Sequence, residues 1–141
     1  MSVATTLNGT STSVTSANVA AVLGRVLISV IFILSGLSKL TAVSGTIGYI
    51  EAAGLPLAPV AFALAVAVEV AGGIALIAGF KTRWVAGALA VFSVVTAFAF
   101  HGNLGDQNQF IPFFKNIAMA GGLLQLVAFG GGALSLDARK G

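Results

Sequence analysis

The chain has 141 residues, of which 57% are hydrophobic and only 8% charged, and its mean hydropathy is +1.04. Soluble domains carry about 25% charged residues, so seven basic and four acidic side chains cannot cover a water-facing surface, and the bilayer is the economical solvent. So few charges also exclude a nucleic-acid patch, and the lack of cysteine excludes disulfides, a CxxC dithiol and thiolate metal sites.

Residues 1–18 (MSVATTLNGTSTSVTSAN) are Ser/Thr-rich and uncharged. They have no hydrophobic face and are expected to form a disordered tail. No basic n-region precedes an apolar run, as a secretory signal would require. Four apolar segments follow, at about 19–37, 58–79, 84–100 and 112–129. Each approaches the roughly 20 residues that cross a bilayer, and backbone polar groups in lipid must be satisfied within a helix. Asn18 suits an N-cap of the first segment, and the glycine run 130–132 ends the last. The sequence therefore predicts an all-α integral membrane four-helix bundle over 19–137, with a basic C-terminal tail at 138–141.

Between the first two spans, Val43, Ile47 and Ile50 share one helical face, and Gly54 and Pro56 stop the run. A short interfacial helix is expected there. Lys81-Thr82-Arg83 forms the tight turn between spans two and three. With four spans, Lys81, Arg83, Arg139 and Lys140 share one side with the N-terminus, and Arg25 lies near it. Lys39 and Lys115 lie toward the other side, so the positive-inside rule places both termini in the cytoplasm. "AGGIALIAGF" and "AGGLLQLVAFG" echo each other weakly, as two related hairpins or as a coincidence between Gly/Ala/Leu-rich spans.

At about 100° per residue, Arg25, Ser29, Phe32, Gly36 and Lys39 form one stripe of the first span. Such a stripe faces other helices rather than lipid. Glu69 shares a face with Phe62, Ala65, Gly73 and Leu76. Ser93, Thr96 and Phe100 align, with His101 at the end of the span. In the fourth span Lys115 and Gly122 share a face, flanked by Asn116 and Gln125. The expected polar interior thus holds Arg25, Glu69, Lys115, Asn116 and His101, and Lys39 stands at the end of the first span's stripe.

Glu69 costs roughly 2.5–3.5 kcal/mol to insert at a helix centre, which its Val, Leu, Ile and Phe neighbours recover at about 0.3–0.6 kcal/mol each. The helix still inserts, but the carboxylate needs a partner or a proton. Arg25 is the first candidate partner and Lys115 the second; a proton-accepting or ligand-binding role is the alternative. His101, the lone histidine, cannot ligate haem from both faces within one chain. It suits either a satisfied interfacial position or a hydrogen bond to a quinone. Phosphate-loop, GxSxG, HExxH and dinucleotide motifs are absent.

The strings "GRVLISVIFILSGLSKL", "YIEAAGLP", "VEVAGGIALIAGFKTR", "TAFAFH", "FFKNIAMAGGLLQL" and "GALSLD", in this order and spacing, resemble the DoxX family. The likeness covers about 22–137 and is closest to small stand-alone bacterial inner-membrane members. It implies a four-helix plasma-membrane bundle. Its polar positions are Arg25, Lys39, Glu69, His101, Lys115, Asn116 and Asp137. Family relatives include small subunits of thiosulfate:quinone oxidoreductases and membrane anchors of oxidant-defence complexes. The wider superfamily resembles thiol-redox bundles, a chemistry this cysteine-free chain cannot perform itself. Two functions fit. The chain is a membrane subunit or scaffold for a soluble oxidoreductase, with quinone as the candidate cofactor, or it is a stand-alone binder or carrier of a small apolar molecule or proton; the expected partner is a soluble oxidoreductase or, in a homo-oligomer, a second copy of the chain.

Overall fold

The computed structural model describes residues 3–140, and the side chains of residues 16–139. Six helices occur in order: α1 Val3–Thr41, α2 Val43–Ala52, α3 Ala58–Ala78, α4 Thr82–His101, α5 Gln107–Phe129 and α6 Leu136–Lys140. No strand occurs among the described residues. Four stretches are long and apolar enough to cross a membrane: Ser16–Thr41, Ala58–Ala78, Thr82–His101 and Gln107–Phe129. The bundle and the short helix between spans one and two are those the sequence predicts. Helix α1 runs through most of the stretch expected to be disordered, and that tail lies almost wholly outside the residues whose side chains are described.

The spans form two antiparallel hairpins, α1 with α3 and α4 with α5, and the hairpins meet mainly through α3 and α4. Small residues permit the close approach within the first hairpin. A Cβ on Gly36 would stand 2.5 Å from Val70 Cγ2, and one on Gly73 would stand 2.5 Å from Ile33 Cγ1. Between hairpins, Gly72 approaches Leu89 and Gly122 approaches Ile28. The buried core combines Phe32, Leu76, Ala86, Leu89, Ala90, Ala120 and Leu123. Outward, Leu27, Ile74, Val91, Phe98 and Leu124 are exposed, as lipid-facing side chains are.

Helix ends follow local chemistry. Gly79, at φ +71°, closes α3 in a Schellman arrangement, with Gly79 N donating to Leu76 O and Phe80 N to Ala75 O. Helix α5 begins earlier than its sequence suggests. Pro112 was expected to open the span at 112; instead the helix starts at Gln107, and Pro112 stands inside it. Asp106 provides the cap, its side chain accepting from Asn108 N at 2.9 Å. The carbonyl that Pro112 leaves without its helical donor belongs to Asn108, which is exposed.

Candidate functional site

The polar stripe of α1 is buried from Arg25 to Gly36, and Lys39 is half-buried at its end. Antiparallel pairing sets the register against α3. Gly36 lies against Glu69 and Val70, Gly73 against Ser29 and Ile33, and Arg25 reaches the end of α3. Glu69, only 4% exposed, therefore sits beside residues 35–36. Side chains on a helix lean toward its N-terminus, so Lys39 leans back one turn to the same level. Its Nζ donates to Glu69 Oε1 at 3.0 Å and to Oε2 at 2.9 Å. It also donates to Ser35 Oγ at 2.8 Å, and Ser35 Oγ donates in turn to Glu69 Oε1 at 3.0 Å. This closed triangle satisfies the carboxylate and is the one salt bridge among the described residues.

Neither Arg25 nor Lys115 pairs with Glu69, contrary to the sequence expectation. Arg25 is fully buried about three turns along α1 from the level of Glu69. Its Nη1 donates to Leu76 O at 3.0 Å and Ile77 O at 2.9 Å, carbonyls in the last turn of α3, and its Nη2 donates to Leu134 O at 2.6 Å. A cation at the negative end of a helix is favourably placed. Asp137 completes this end of the molecule. Its carboxylate accepts from Lys81 N at 2.6 Å and Thr82 N at 2.8 Å at the start of α4, and its own N donates to Gly79 O at 3.0 Å. Arg25 and Asp137 thus tie the C-terminal segment across the α3–α4 turn.

The close approaches of Gly72 to Leu89 and Gly122 to Ile28 both lie nearer the α3–α4 turn, and toward the opposite end a gap remains between the hairpins. The gap is a cavity of about 470 Å³, within the range of small-molecule sites. Its lining is mostly apolar, with Ile31, Leu64, Val68, Phe92 and Val95 along the walls. Lys39, Glu69, His101, Lys115 and Asn116 all line it, so five of the six polar candidates from the sequence share one space and Arg25 alone lies elsewhere. Helix α2 covers one side: Thr46, Tyr49 and Ile50 face the cavity, and the Tyr49 ring stacks on Phe100 with centroids 5.2 Å apart and planes 16° from parallel. Sequence reasoning missed Ser35 and Tyr49 as site residues.

The face of α5 also differs from expectation. Phe113, Ala120 and Leu123 are buried, while Lys115, Gly122 and Gln125 are exposed. Polar side chains marked the wrong face because small and branched apolar residues make the packing contact here. Asn116 is half-buried and donates from Nδ2 to Pro112 O at 3.1 Å. Among the described residues, no group of three or more His, Cys, Asp or Glu is placed to hold a metal ion.

A four-span helical membrane protein with an ion-paired, largely apolar cavity between two hairpins is the class this geometry defines. The DoxX family model matches residues 20–102, more than half the chain. The chain belongs to the DoxX family. Inner membrane protein YqjF of Escherichia coli (strain K12) is 38% identical over 120 residues, covering 85% of this chain and 91% of the relative. Inner membrane protein YphA of the same organism is 34% identical over 123 residues, covering 83% and 87% respectively. No solved structure matches the chain.

Proposed function

We propose that this protein binds a small, largely apolar molecule in the cavity between its hairpins, within the bacterial inner membrane. The observation that carries this reading is the convergence of Lys39, Glu69, His101, Lys115 and Asn116 on a mostly apolar space of about 470 Å³. A site of this kind holds a hydrophobic body along its walls and orients it by a few polar groups at one end. The names of both relatives support the location. The bias of Lys81, Arg83 and Arg139 toward the α3–α4 turn supports cytoplasmic termini, which puts the cavity end toward the periplasm. A quinone has a suitable body, and the expected role as membrane subunit of an oxidoreductase uses the same cavity, with quinone handed to a soluble partner.

The test is isolation of the full chain from native membranes in mild detergent, followed by extraction and mass spectrometry of bound small molecules. Ala65 lines the cavity and is half-buried, so Ala65→Phe fills it. A molecule retained by the natural chain and lost from Ala65→Phe is expected; identical extracts from both would refute the reading. A soluble oxidoreductase that accompanies a retained quinone would support the membrane-subunit role.

A further inference from the structure

The charges lining the cavity do not balance. Glu69 is the only acidic side chain on its wall, and Lys39 and Ser35 occupy its carboxylate. Lys115 lines the same cavity and makes no hydrogen bond or ion pair among the described residues. It is exposed on its outer side, which puts it at the mouth, within electrostatic range of His101. Asn116 next to it spends one N–H on Pro112 O. With Lys39 and Glu69 cancelling, one positive charge is left at one end of an apolar space. An ammonium in low-dielectric surroundings is costly unless an anion meets it or it reaches water.

We infer, resting on the cavity-binding reading above, that the cavity takes an anionic amphiphile: an apolar chain or ring with one acidic head that pairs with Lys115 beside His101. The single surplus charge selects a mono-anion over a multiply charged phosphate. The apolar body lies along Ile31, Leu64, Phe92 and Val95, and Tyr49 on Phe100 closes over it. A free carboxylate and the phosphodiester of a membrane lipid share this chemistry.

The test uses the full chain in phosphatidylcholine nanodiscs with a diazirine-bearing palmitic acid analogue and its methyl ester. Cross-linking is mapped to peptides and normalised to yields on lipid-facing peptides. A charge-assisted hydrogen bond contributes about 1.5–3 kcal/mol, so the acid should label cavity peptides about tenfold or more above the ester. Lys115→Met should abolish that preference and Lys115→Arg should keep it. Lys115 has no bonding partner to lose, and a melting curve confirms that each variant folds. Displacement by excess oleate or by excess phosphatidylglycerol supports the proposal and tells which head the site takes. Equal labelling by acid and ester, or an acid preference that survives Lys115→Met, overturns it. So does competition by decylubiquinone as strong as that by oleate, although cavity binding itself would then stand. If neither probe labels cavity peptides above lipid-facing ones, the inference falls, and the cavity-binding reading is decided separately by the Ala65→Phe extracts.

Discussion

Arg25 and Glu69, both buried on adjoining helices, never meet. The register of α1 against α3 separates them: Glu69 stands level with Gly36, while the Arg25 guanidinium sits at the carbonyl end of α3. Each charge is answered locally, one by a lysine and the other by backbone oxygens.

This separation predicts the outcome of two double-mutant cycles. Lys39→Met and Glu69→Gln should each lower stability by up to roughly 3 kcal/mol, because each leaves a buried charge without its counterpart. The two together should cost clearly less than the sum. Glu69→Gln combined with Arg25→Gln should instead be additive. Unfolding titrations in mixed micelles measure both cycles, and coupling of Arg25 to Glu69 would contradict the register.

Arg25 should matter most to the C-terminal segment. Hydrogen bonds to a charged donor contribute about 1.5–3 kcal/mol each, so Arg25→Gln should destabilise by several kcal/mol and speed proteolysis within residues 130–140. Arg25→Lys should rescue only part, since an ammonium cannot span Leu76, Ile77 and Leu134 as the forked guanidinium does. Asp137→Ala should cost about 1 kcal/mol through the lost cap on α4, with faster amide exchange at Lys81 and Thr82.

Gly73→Leu should drive a side chain into Ile33, where even a Cβ would stand 2.5 Å away. Overpacking of this kind costs about 1–3 kcal/mol, visible as a lower melting temperature. Gly48→Ala is the control, because a Cβ there meets nothing within 4 Å.

The proposed orientation is checked by reporter fusions. A fusion after residue 137 should report cytoplasm and one inserted at Gly54 should report periplasm. The reverse pattern would turn the molecule over and bring the cavity to the cytoplasmic side.

The spans, the α2 helix and the buried stripe of α1 were legible in the sequence, because hydropathy and helical spacing record burial directly. The partner of Glu69 was not. Facial projection ranks residues around a helix but says nothing of their depth against a neighbour, and Lys39 stands at the end of its stripe. Its backward-leaning side chain supplies the missing turn. Asp137 entered only through family likeness, since its role depends on where a short irregular segment folds back. Lys115 lines the cavity although the buried face of α5 carries Phe113, Ala120 and Leu123, because a long side chain at a helix edge can line a space its backbone does not face. The stack of Tyr49 on Phe100 joins residues from separate hairpins and left no periodic trace.

Synthesis runs from the N-terminus, which gives the two polar clusters different histories. Lys39 and Glu69 lie on the first hairpin, so they can neutralise each other as soon as α3 has been made, and that hairpin can partition into lipid without waiting for α4 or α5. Arg25 has no such early relief for its second nitrogen, whose acceptor is Leu134, which is made only after α4 and α5. The first charge pair licenses insertion; the other cluster closes only when the segment after α5 folds back. Until residue 134 has been made, the first hairpin holds its ion pair intact while its arginine stays half-answered.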